Sequence, residues 1–214
     1  MTSPAGLLEV SPVIPVVTVD NPDHAVPVAR ALLAGGIPII ELTLRTDRAL
    51  EALAAIRADV PDILIGAGTV LRPRQADDAV EHGARFVVSP GASLPLLRHL
   101  VTLPVPVLPG VATVSEVLTA LDHGLTDLKF FPAGPAGGPS YLSALAAPVP
   151  QARFCPTGGV TPDNMADYLA LRNVPAIGGS WLTPAGVLTS QDWARISTLA
   201  QDARNRASQA QQGM

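Results

Sequence analysis

Gly36-Ile37-Pro38-Ile39-Ile40-Glu41-Leu42-Thr43-Leu44-Arg45-Thr46 reads as one joint of a repeating unit. Upstream, near 22–34, lies an Ala/Leu-rich stretch with helical spacing. It ends at Gly36, a residue suited to the left-handed cap that terminates a helix. An apolar run near 37–42 follows at once, as a buried strand would. Polar residues then gather from Glu41 to Thr46, and a second helical pattern begins near 47–58.

The same order recurs along the 214 residues. Strands are predicted near 13–19, 37–42, 62–66, 85–89, 105–108, 126–131, 152–155 and 174–178. Helices are predicted near 22–34, 47–58, 73–82, 93–101, 113–122, 138–146, 161–171 and 184–206. The caps agree. Asn21-Pro22, Thr161-Pro162 and Thr183-Pro184 each read as an N-cap followed by proline at the first helical position. Thr113 to Glu116 has the capping-box spacing, and Thr46 is also assigned to a cap. Gly83 and Gly124 repeat the role of Gly36. Pro15, Pro38, Pro104 and Pro106 fall in or beside strands, where proline weakens a ladder.

Strand starts lie about 23 residues apart, so eight βα units occupy about 13 to 182. Such repeats require a parallel sheet with helices on its faces. Eight units suggest a (β/α)8 TIM barrel at the small end of its size range. The rival is an open doubly wound sheet, but no G-x-G-x-x-G turn follows the first strand. One barrel domain over 1–214 is expected, with a short extension at 1–10 and a disordered tail at about 205–214.

Composition narrows the function. Hydrophobic residues make up 48% and aromatics 4%, so the core must be aliphatic. The net charge is −4 and no basic stripe appears, which argues against nucleic acid. Apolar runs are too short for a membrane span. The first ten residues lack a basic, apolar leader pattern, so a cytoplasmic setting is expected. One cysteine, Cys155, excludes an internal disulfide and reads as a buried, inert thiol. No His or Cys pair has metal-ligand spacing, so neither metal nor other cofactor is expected. His82 and His123 each precede a capping glycine, where a helix dipole favours them. Of 14 basic residues one is lysine, Lys129, and it sits inside the apolar run Leu128-Lys129-Phe130-Phe131.

In a barrel of this kind, chemistry collects at the C-terminal ends of the strands. There the sequence places Glu41 to Thr46, Gly66-Ala67-Gly68-Thr69-Val70, Ser89-Pro90-Gly91, Pro109-Gly110, Lys129, Pro156-Thr157-Gly158-Gly159 and Gly178-Gly179-Ser180-Trp181. Gly66, Gly91 and Gly110 could serve backbone conformation alone. The Gly-Gly pairs after strands seven and eight read as a phosphate cradle. A lysine in an apolar interior is disfavoured as a cation, and a neutral amine is a nucleophile. The alternative for Lys129 is an ion pair with Asp127, which alternation puts on the same strand face.

Six motifs, in register from about Leu7 to about Arg204, resemble one family. They are Glu41-Leu42-Thr43-Leu44-Arg45-Thr46, Gly66-Ala67-Gly68-Thr69-Val70, Ser89-Pro90-Gly91, Lys129-Phe130-Phe131-Pro132-Ala133, Pro156-Thr157-Gly158-Gly159 and Gly178-Gly179-Ser180-Trp181. The family is that of 2-dehydro-3-deoxy-phosphogluconate (KDPG) aldolase and 4-hydroxy-2-oxoglutarate (KHG) aldolase. The resemblance implies a class I, Schiff-base aldolase on a TIM barrel, a homotrimer, in the Entner–Doudoroff route. By motif, Lys129 corresponds to the imine-forming lysine and Glu41 to the proton-transfer carboxylate. Arg45 and Thr69 correspond to contacts with the pyruvyl carboxylate. Gly158, Gly159, Gly179 and Ser180 correspond to phosphate contacts, with Thr157 beside the reacting carbons. Gly134 stands where the family often has an acidic residue, and Asp20-Asn21-Pro22 where a more basic segment is expected. Other readings are a galactonate-series aldolase using the same imine, a phosphosugar isomerase or epimerase, and a non-catalytic sugar-phosphate binder.

Overall fold

The computed structural model describes residues 6–212. Nine short strands alternate with helices. The strands are β1 (Val13–Val17), β2 (Ile39–Thr43), β3 (Leu64–Gly68), β4 (Val87–Val88), β5 (Val107–Leu108), β6 (Gly110–Val111), β7 (Asp127–Phe130), β8 (Arg153–Pro156) and β9 (Ile177–Gly179). The helices are α1 (Ala25–Ala34), α2 (Ala49–Asp59), α3 (Pro73–Glu81), α4 (Leu94–Leu100), α5 (Val114–Asp122), α6 (Gly138–Leu145), α7 (Met165–Leu169), α8 (Ala185–Ser190) and α9 (Trp193–Gln212).

All strand pairs are parallel. Six form a sheet in the order β5-β4-β3-β2-β1-β9, and β6-β7-β8 form a second. Two seams join them. Pro109 separates β5 from β6 within what is one strand of the ring, and its carbonyl accepts from the Lys129 amide at 2.9 Å. On the other side Thr157 bridges Gly178, linking β8 to β9. The ring is therefore closed, and the fold is the (β/α)8 barrel.

Several differences from the sequence reading have physical causes. β2 and β5 begin after Pro38 and Pro106, because those prolines have no amide to give the ladder. Thr46 does not cap α2; its hydroxyl donates to the Val19 carbonyl at 3.1 Å and ties the β2 loop to β1. Asn164 accepts from the Thr161 amide, making a turn that delays α7 to Met165. The last helical stretch is split by Gln191, whose φ is +54°. α9 then runs through 205–212 of the stretch read as a disordered tail, burying Ala203 and Ala207, while 213–214 lie outside the described residues. Gly66 and Gly110 do not sit at positive φ. A Cβ on Gly66 would overlap the Phe86 ring, and one on Gly110 the Pro90 backbone.

The core is aliphatic, with Phe86, Phe130, Phe154 and Tyr168 fully buried. At the N-terminal end of the strands, residues 6–10 of the extension read at 1–10 join the fold through buried Leu7 and Leu8, while 1–5 lie outside the described residues. Beside them Arg153 holds Asp127 at 2.7 and 2.9 Å and Glu9 at 2.9 Å. The arginine keeps the Glu9 carboxyl below the usual range.

Close packing between neighbouring strands is testable at Gly66. Gly66→Ala is expected to lower stability by about 1–3 kcal/mol, the usual cost of overfilling a packed core. Adding Phe86→Leu makes room and should recover part of that loss in urea unfolding. Fully additive losses would mean that the two sites do not share space.

Candidate active site

β2 and β7 stand opposite each other in the ring, four positions apart in either direction. Glu41 and Thr43 alternate along β2, and Lys129 is the third residue of β7. Across the barrel axis, Lys129 Nζ donates to Glu41 Oε1 at 2.9 Å and Oε2 at 3.2 Å. Lys129 is 5% exposed and Glu41 3%, so this is a buried ion pair. Taking both charges out of water is costly, and the short bidentate contact offsets that cost. The Phe131 ring adds a weak attraction, with its centroid 5.7 Å from Nζ.

Asp127, the alternative partner of Lys129, is instead taken by Arg153. Register pairs Asp127 with Arg153, both at the N-terminal ends of their strands, whereas Lys129 pairs with Cys155 nearer the mouth. The Cys155 thiol is pushed up to about 12, chiefly by burial; Lys129 opposes that shift and Glu41 adds to it. It is a thiol at neutral pH, adjacent to the lysine and without nucleophilic character.

Glu41 lies over Gly68, where a Cβ would overlap its carboxylate. The next residue, Thr69, has φ +59°, unusual for a β-branched residue. Its hydroxyl accepts from Arg45 Nε at 3.1 Å. Arg45 is exposed and no carboxylate of the described residues pairs with it. Its outer guanidinium edge thus suits a planar anion. Thr43 is buried and shares a 2.7 Å hydrogen bond with Thr18, just past β1. The sequence reading gave neither threonine a role, although Thr43 lies one alternation from Glu41.

On the far side of the mouth, Thr157 is buried and donates to the Cys155 carbonyl at 3.3 Å. Gly158 and Gly159 follow at φ +88° and +85°, so only glycine turns the chain there without strain. The bridge from Thr157 to Gly178 brings Gly158-Gly159 and Gly179-Ser180 onto adjoining strand ends. Ser180 is exposed and lines a cleft of about 410 Å3 with Thr18, Asp20, His24 and Thr183. That cleft lies beside the lysine–glutamate pair, not over it: neither residue lines it. Thr18 connects the two through Thr43. Among the described residues no group of three His, Cys, Asp or Glu could hold a metal ion. No helix there is long and apolar enough to cross a membrane.

The arrangement offers an amine able to pass a proton to a carboxylate already in contact, an anion-binding arginine, and a glycine-lined rim. Comparison with known proteins gives the chain its relatives. The chain is 49% identical over 202 residues to the KHG/KDPG aldolase of Escherichia coli strain K12, covering 94% of this chain and 95% of that one. A KDPG aldolase structure from Legionella pneumophila superposes with a TM-score of 0.90 at 44% identity, over 92% of this chain and 96% of that one. In that structure pyruvate is captured at low pH as a covalent carbinolamine intermediate. The KDPG aldolase of Zymomonas mobilis ZM4, solved with 3-phosphoglycerate, superposes with a TM-score of 0.87 at 44% identity, over 92% of each chain. The family model for KDPG and KHG aldolases matches residues 6–199, which hold every site residue described above, and the chain belongs to that family.

Proposed function

We infer that the protein is a class I aldolase that cleaves 2-dehydro-3-deoxy-6-phosphogluconate to pyruvate and glyceraldehyde 3-phosphate. By the same chemistry it would cleave 4-hydroxy-2-oxoglutarate to pyruvate and glyoxylate. The observation that carries this reading is the 2.9 Å contact between Lys129 Nζ and Glu41 Oε1 inside the barrel.

Transfer of one ammonium proton to Glu41 leaves a neutral amine. The amine attacks the substrate C2 ketone to give a carbinolamine; Glu41 returns its proton to the departing hydroxyl, so that loss of water leaves a protonated imine and an ionised Glu41. The imine is the electron sink for the bond that breaks, so the scheme uses no metal and no organic cofactor. Glu41 removes the C4 hydroxyl proton, directly or through water, as the C3–C4 electron pair moves into the imine. The aldehyde leaves, and an enamine remains on Lys129. Glu41 returns a proton to the former C3 carbon, and hydrolysis frees pyruvate and the lysine.

In this reading Arg45 and Thr69 hold the pyruvyl carboxylate. Thr157 stands beside the reacting carbons, and Gly158, Gly159, Gly179 and Ser180 receive the phosphate. We also propose a homotrimer in the cytoplasm. A free, buried cysteine suits a reducing compartment. Exposed Leu71, Leu94, Val101, Val114 and Leu118 supply apolar surface that association would cover.

Borohydride with pyruvate should leave one reduced pyruvyl adduct per chain, mapped to Lys129, with loss of activity. An adduct confined to the α-amino group, or full activity after complete reduction, would end the Schiff-base reading. Glu41→Gln keeps the shape of the side chain but not its proton transfer. Its kcat should fall by a factor of about 10²–10⁴. A kcat within a few-fold of wild type would free Glu41 from that role. Ser180→Ala should raise KM for the phosphorylated substrate and leave 4-hydroxy-2-oxoglutarate nearly untouched. Equal losses on both would make Ser180 a support of the rim only.

A further inference from the structure

Asp20 stands where two clefts of the barrel mouth meet. One, of about 410 Å3, is the cleft that contains Ser180. The other, of about 400 Å3, contains Arg45. Asp20 lines both. Under the aldolase reading these are the two ends of the substrate, with Arg45 at the pyruvyl carboxylate and Ser180 at the phosphate. The carboxylate of Asp20 is exposed, and it enters none of the ion pairs found among the described residues.

The surrounding charges do little to mask it. The Ser180 cleft is lined by no lysine or arginine, and His24 is its other titratable side chain. His24 packs edge-on against Trp193, with ring centroids 5.4 Å apart, and touches the Gln191 amide at 3.3 Å. In the Arg45 cleft, Arg45 is matched by the substrate's own carboxylate under the aldolase reading, Arg48 is already forked onto Glu51 at 2.8 and 2.6 Å, and Asp47 adds a second negative charge. A phosphate dianion near Ser180 therefore faces an unmatched carboxylate. A hydroxyl group in the same place does not, and it finds the side chains of Thr18, Asn21, Thr183 and Thr189 in the lining.

We propose that Asp20 is a specificity-determining residue that lowers the preference for a phosphorylated substrate end and so opens the site to the same 2-keto-3-deoxy acid with an uncharged hydroxyl end. The proposal rests on the aldolase reading above. Asp20 acts through its field across the cleft. It does not touch the reacting atoms, and it has no part in forming the imine.

The test compares kcat/KM for 2-dehydro-3-deoxy-6-phosphogluconate and for 2-dehydro-3-deoxygluconate in wild type, Asp20→Asn and Asp20→Lys. Across a water-filled cleft of this size, one unit charge acting on a dianion changes binding by about three- to ten-fold. The phosphorylated-to-neutral ratio should rise by about that factor in Asp20→Asn and further in Asp20→Lys. The rise should come from the phosphorylated substrate. It should also shrink as salt is raised from 0.1 to 1 M, where the screening length drops from about 10 Å to about 3 Å. A ratio that stays flat across the three proteins, or one that is indifferent to salt, overturns the proposal. So do equal changes on both substrates, which a merely structural role would give. Pyruvate trapping on Lys129 is measured alongside. If trapping persists while the ratio stays flat, Asp20 alone has been misread. If wild type neither traps pyruvate nor cleaves either substrate, both readings fall.

Discussion

A lysine and a glutamate face each other across the axis of the barrel, both almost wholly withdrawn from water. Neither charge is tolerable there alone. Stranding one partner of such a pair costs about 3–5 kcal/mol. The contact therefore fixes the relative placement of β2 and β7, strands that share no ladder and stand on opposite sides of the ring. It also keeps an amine and a proton acceptor together before any ligand arrives. Stability and chemistry draw on the same 2.9 Å contact.

Much of the surrounding structure exists to let that contact form. Gly68 leaves space for the Glu41 carboxylate, and the strained backbone of Thr69 follows directly. Phe86 fills the space that Gly66 leaves on β3. Thr43 and Thr18 join β2 to β1 by a hydroxyl–hydroxyl bond just above the glutamate. At the opposite end of the strands, Arg153 captures Asp127 and keeps a second carboxylate away from Lys129. The ends of the barrel thus divide the labour, one holding the chain together and the other holding reactive groups apart from bulk water.

The alternation of the βα units was legible because Gly36, Gly83 and Gly124 close α1, α3 and α5 at positive φ and a short apolar run follows each. Lys129 was legible because an isolated lysine in an apolar run is rare. Its partner was not. Asp127 and Glu41 were both available carboxylates, and choosing between them requires the β7–β8 register, which pairs Asp127 with Arg153. The tail was misread because 205–212 is polar and rich in glutamine. What counts there is a sparse stripe of Ile196, Ala200, Ala203 and Ala207, small enough to lie flat on the barrel. The split at Gln191 carried no glycine to announce it. Gly66 and Gly110 looked like turn residues, but their role is steric, and sequence does not reveal which side chain crosses a strand.

Closure of the ring has a consequence for how the chain can be built. Most ladders join consecutive units, so they can form as the polypeptide emerges. The ladder between Val13 and Ile177 joins the first strand to the last. Until β9 exists, β1 has one bare edge, and the residues just beyond it, Thr18 to Asn21, lack the wall that Ser180 and Thr183 provide. The entropic cost of closing so long a loop grows only slowly with its length, but it falls entirely on one step. The mouth of the barrel is therefore completed only once β9 and the segment after it have been made. A nascent chain stalled before its last strand already contains Glu41 and Lys129, yet it has no finished vessel around them.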